Sequence, residues 1–116
     1  MQTIEISDGS DVNLIVAIST EAIVGSNVSL NDHIIKESQS YAFTTGLGDI
    51  SNLNNKVLSS ASMFNVALGD FDPVFNNTIV TYTLEHGGNS TNIPSEKVKA
   101  SDNLFMVHFL VKLKKV

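Results

Sequence analysis

Along this chain apolar side chains recur at every second position far more often than at helical spacing, which is the pattern of strands with one buried face. The clearest run is Thr78 to Glu85 (TIVTYTLE). It is rich in branched and aromatic residues that fit a pleated surface, and Val80, Tyr82 and Leu84 are predicted inward. Val57 to Leu68 alternates in the same way, with Leu58, Ser60, Ser62, Phe64, Val66 and Leu68 on one face and Val57, Ala61 and Met63 on the other. Gln2 to Ile6 is a short alternating segment closed by SDGSD, where Asp8-Gly9 supplies the residue types of a tight hairpin turn. HGGNSTN turns the chain after Glu85. Ile93 to Ala100 is a short strand at most, because Pro94 has no N–H to give to a ladder and marks a sheet edge.

Two segments carry more apolar surface than one buried face requires. In Val12 to Ile18, Val12, Leu14, Val16 and Ile18 share one face and Asn13, Ile15 and Ala17 the other. In Leu104 to Lys115, Phe105, Val107, Phe109, Val111 and Leu113 point one way and Leu104, Met106, His108 and Leu110 the other. An antiparallel sheet ordinarily keeps one face wet. The second apolar face therefore needs a cover, either a loop of the same chain or a neighbouring subunit. Leu14, Ile15, Val16, Leu104, Met106, His108 and Leu110 are the residues expected at such an interface.

The weaker segments read less regularly. STEAIVGS has room for one helical turn capped by Ser19 or Thr20, while Asn27 to Leu30 and Ile34 to Phe43 read as strands. Thr44 to Lys56 reads as loop, because its glycines and asparagines favour turns. Seven or eight short strands without crossover helices predict an all-β fold: one antiparallel β-sandwich over residues 1–116, with immunoglobulin-like or jelly-roll connectivity.

Composition narrows the function classes. At 116 residues the chain suits one domain with its own core. Cysteine is absent, which removes disulfides, thiol catalysis and thiolate metal sites. No apolar run approaches the roughly 18–20 residues of a membrane-spanning helix, and MQTIEISDGSD lacks the basic start and apolar stretch of a classical secretory signal. The expectation is no membrane span, and a protein that is cytoplasmic or exported without a classical signal. Eleven of the twelve acids lie in residues 1–96 with only Lys36 and Lys56, whereas residues 97–116 hold five lysines and Asp102. With no arginine and an acidic body, nucleic acid is not an expected partner.

The candidate chemistry centres on LGDFDPVFNN, Leu68 to Asn77. If this stretch is extended, Asp70 and Asp72 project to one side and, with Asn76, offer the oxygen ligands of a calcium ion. The competing reading is a turn in which Asp72 precedes Pro73 while Phe71 and Phe75 pin the loop to the core. Gly46-Leu47-Gly48 matches the start of a dinucleotide fingerprint but has Ser51 at the third glycine position. His33, His86 and His108 show no local metal-pair spacing, and no nucleophile-elbow pattern occurs. Tyr41, Phe71 and Phe75 remain as aromatic platforms for a glycan. The sequence thus predicts no cofactor and no enzyme. It predicts a structural or assembly protein that forms homo-oligomers or docks on a protein partner through its apolar strand faces. The alternative is a lectin-like or calcium-dependent module whose loops 70–77 and 85–92 gather a ligand.

Overall fold

A computed structural model describes residues 1–7 and 11–116. Along the chain the strands are β1 (Gln2–Ile6), β2 (Val12–Ser19), β3 (Ile23–Leu30), β4 (His33–Ser38), β5 (Ala42–Gly48), β6 (Val57–Asn65), β7 (Ile79–His86), β8 (Asn89–Ile93), β9 (Glu96–Lys99) and β10 (Leu104–Lys115). Two short helices interrupt them, α1 (Ile50–Leu53) and α2 (Phe71–Asn77). The larger sheet runs β1-β10-β6-β3-β4, with β9 also paired to β10; the smaller runs β5-β2-β7-β8. The predicted all-β sandwich is therefore the observed architecture. Ten strands rather than seven or eight build it among the described residues, and one ladder, β1 on β10, is parallel.

The differences have local causes. Asp8-Gly9 lies outside the described residues, but the strands flanking it, β1 and β2, belong to different sheets and are not a hairpin. STEAIVGS is not helical. Thr20 Oγ1 accepts a hydrogen bond from Ala22 N at 3.1 Å, which forms a bend, and β3 begins at Ile23. The segment from Ile34 to Phe43 is split, because the chain leaves the larger sheet after Ser38 and enters the smaller one at Ala42. The loop expected over Thr44 to Lys56 is instead the body of β5 followed by α1, which Asp49 caps by accepting from Ser51 N at 2.8 Å. The Gly87-Gly88 pair, with φ of 53° and 78°, closes the β7–β8 hairpin in the left-handed region that glycine enters freely.

Inward residues of both sheets form one core. Val12, Leu14, Val16, Tyr82 and Leu84 of the smaller sheet meet Val28, Leu58, Phe64, Phe105, Val111 and Leu113 of the larger, all at 4% exposure or less. Tyr82 reaches across the gap. Its hydroxyl lies 3.0 Å from Ser62 Oγ, which lies 2.8 Å from Ser26 Oγ, and it donates to Val107 O at 3.2 Å. Pairing of this kind offsets the cost of taking hydroxyls out of water.

The LGDFDPVFNN stretch resolves into α2, a plug at one end of the sandwich. Phe71 and Phe75 stack on each other at 5.5 Å, and both meet Phe105 edge-on, at 5.8 and 5.2 Å. Phe105 in turn stacks on Phe64 at 4.7 Å. Strand β9 secures the plug from the side. Lys97 Nζ donates to Phe75 O and Thr78 O, satisfying carbonyls at the helix C-terminus, and sits 5.1 Å from the Phe75 ring centroid. Lys99 Nζ sits 5.0 Å from the ring centroid of Phe71.

Candidate functional site

Pleating assigns each side chain of the larger sheet to the core or to the outside, and the strand register sets what the outer face holds. Ile23, Asn65 and Leu104 stand side by side on β3, β6 and β10. One step along the strands, Gly25, Met63, Met106 and Val98 form a row across β3, β6, β10 and β9. The next row is Asn27, Ala61, His108 and Glu96, and the one after it Ser29, Ser59 and Leu110. Ile23 is 62% exposed, Met63 42%, Val98 45% and Leu110 52%, while Leu104, Met106 and His108 are half-buried. Neither α1, α2 nor any strand of the smaller sheet lies over these rows. Ile23, Met63, Leu104, Met106 and Val98 form an apolar cluster, with Leu110 set apart from it by the Asn27–Ala61–His108–Glu96 row, whereas the outer face of the smaller sheet places Ile15 between Thr44 and Thr83, half-buried and isolated.

Charges bracket this surface along the strand direction. Beyond the Ile23–Leu104 row, in the bends that lead into β3 and β10, stand Glu21 and Asp102, both exposed. At the far end Lys112 lies beside Thr3 and Val57, and Lys114 beside Glu5. Only one ion pair occurs among the described residues, His108 Nε2 to Glu96 Oε2 at 3.9 Å, in the middle of the face. It is too exposed to contribute much to folding.

The expected interface residues therefore divide. Leu104, Met106, His108 and Leu110 lie on the outer face, together. Leu14 and Val16 do not belong to any interface, since both are fully buried between the sheets. The sequence reading passed over Ile23, Met63 and Val98, which complete the surface. A signal for Met63 was present: it shares the parity of Val57 and Ala61, opposite the face of Leu58 and Phe64.

The calcium geometry is overturned. Asp70 is the N-cap of α2, Asp72 lies in its first turn and Asn76 in its second, so the segment is helical and the extended-chain alignment of the carboxylates does not exist. No group of three or more His, Cys, Asp or Glu among the described residues is placed to hold a metal ion. Loops 70–77 and 85–92 lie at opposite ends of β7, about 25 Å apart at strand rise, and cannot converge on one ligand. His86 packs inside the hairpin, with Nε2 3.1 Å from Thr91 Oγ1. Phe71 and Phe75 are spent on the core and are not platforms; Tyr41 is half exposed and donates to Ala22 O at 3.2 Å. No helix among the described residues is long and apolar enough to cross a membrane.

The fold places the chain among β-sandwich domains. No protein family, curated protein or solved structure matches it.

Proposed function

We propose that this protein is a non-catalytic structural domain that assembles with copies of itself through the outer face of the larger sheet. The observation that carries the reading is the apolar row Gly25–Met63–Met106–Val98, with Ile23, Leu104 and Leu110 around it, uncovered by the chain's own elements. Four strands at about 4.8 Å spacing and six residues at about 3.3 Å rise give this zone roughly 300 Å². That is within the range of the largest apolar patch on an ordinary monomer, a patch that is often functional. Asp70 and Asp72 belong to the start of a structural helix, and His86 and His108 are engaged by Thr91 and Glu96.

Light scattering across a concentration series tests the reading. The wild-type chain is expected to exceed the mass of one 12.5 kDa chain. Met63→Lys, which changes only an exposed position, is expected to return it to a monomer without loss of fold. A wild type that stays monomeric at millimolar concentration overturns the proposal.

A further inference from the structure

We propose that the assembly is a two-fold dimer in which the larger sheets pack face to face with their strands antiparallel, so that the lysine end of each copy covers the acidic end of the other. This rests on the assembly reading above and adds the partner's orientation to it.

The argument starts from area. A stable interface of ordinary size buries about 800 Å² on each side, more than twice the apolar zone, so the rest must come from the polar surroundings. Those surroundings are polarised. Glu21 and Asp102 stand in the bends at one end of the face and Lys112 and Lys114 at the other, and none of the four makes an ion pair among the described residues. Glu5, beside Lys114, offsets part of the basic end, and the cross-strand partners of Lys112 are the uncharged Thr3 and Val57. Stacking two such faces with strands parallel sets lysine on lysine and acid on acid. Turning one copy about an axis across the strands sets opposite charges together.

The spacing agrees. Lys114 lies six residues beyond His108 on β10, about 20 Å at strand rise, and Asp102 lies in the turn at residues 101–103 that precedes β10, past Leu104 on the opposite side of His108. With the axis crossing β10 near His108, Lys114 of one copy comes over Asp102 of the other, and the Met106 row comes over Leu110. The apolar Met106 row is then covered by Leu110 and its neighbouring serines Ser59 and Ser29. The smaller sheet, with its threonine-rich outer face, offers no such pattern.

Three variants and salt test this. Lys112→Glu with Lys114→Glu makes both ends acidic and lowers the formal net charge from −5 to −9. Glu21→Lys with Asp102→Lys makes both ends basic and raises it to −1. Each pair is expected to weaken dimerisation tenfold or more at low ionic strength, by sedimentation or light scattering, and the four changes together to restore it. The wild-type dimer is expected to weaken between 50 and 500 mM salt, as screening shortens the reach of the charges. A general net-charge effect instead makes the basic pair associate more tightly than wild type, and that result overturns the orientation. So does equal association of wild type and both pairs. Gly25→Glu separates the two levels: a Cβ there meets nothing of the chain within 4 Å, so the fold tolerates it while the face is blocked. If Gly25→Glu abolishes association and the charge pairs leave it unchanged, the face stands and the orientation falls. If the wild type is monomeric, both fall.

Discussion

Tyr82 shows how much a single inward residue carries in a core without disulfides. Its ring packs edge-on to Phe109 at 4.7 Å, and its hydroxyl joins the smaller sheet to Ser62 and Val107 of the larger. Tyr82→Phe keeps the ring and removes the bridge, so it is expected to lower stability by about 1 kcal/mol in denaturant titration. The same residue sets a limit at high pH. Burial pushes the Tyr82 phenol up from its ordinary value of 10.0, with the Ser62 hydroxyl partly opposing the shift. In the unfolded chain the phenol ionises at lower pH than in the fold, so the folded state holds its proton more tightly. The associated stability is fully present below about pH 10 and is lost as pH rises toward the folded value. Wild-type melting temperature is expected to fall above pH 10, and the fall is expected to shrink in Tyr82→Phe. At this scale the sequence was readable in part: alternation around Tyr82 marked it as inward, but its partners lie 20 and 25 residues away along the chain, beyond any local pattern.

Helix α2 is the element whose sequence was most open to misreading, and also the one with an overlooked signal. Phe71, Val74 and Phe75 fall at i, i+3 and i+4, one helical face, and Pro73 is acceptable in a first turn, where its missing N–H has no intrahelical partner anyway. Asp-Pro and Asn-Asn drew attention to turn chemistry instead. The helix is short, so its stability depends on what holds its ends. Lys97→Met keeps most of the apolar stem but deletes the donors to Phe75 O and Thr78 O, and is expected to cost about 1–2 kcal/mol. Hydrogen exchange locates the effect: amides of 71–78 are expected to lose protection more than those of β6 or β10. Calcium and chelator are expected to give superimposable melting curves; a rise with calcium would mean that the helix aspartates hold a cation after all. Strand β5 was missed for a different reason. Ala42, Thr44 and Gly46 are its outward residues and Phe43, Thr45 and Leu47 its inward ones, so alternation is present but blurred by small and polar side chains.

Across the whole molecule, period-two patterning was enough to give the architecture and the apolar face of β10, because Lys112 and Lys114 share the parity of Leu104 to Leu110 and fix that side as outer. Strand order was not readable. Nothing in Gln2 to Ile6 announces that it pairs with residues 111–115 in parallel, since that contact joins opposite ends of the chain. Such closure requires ordering a long loop first, and refolding is expected on the order of milliseconds to seconds. Because Ile4 and Ile6 are only 5% and 0% exposed, Ile6→Ala is expected to cost about 2–5 kcal/mol, seen as a lower denaturation midpoint.

The parallel β1–β10 ladder also fixes how the domain meets tension. A pull that draws Met1 and Val116 apart runs along both strands, so the bonds from Gln2–Val111 to Ile6–Lys115 are loaded in shear and share the force instead of parting one after another. Held by its two ends, the sandwich is arranged as a mechanical clamp.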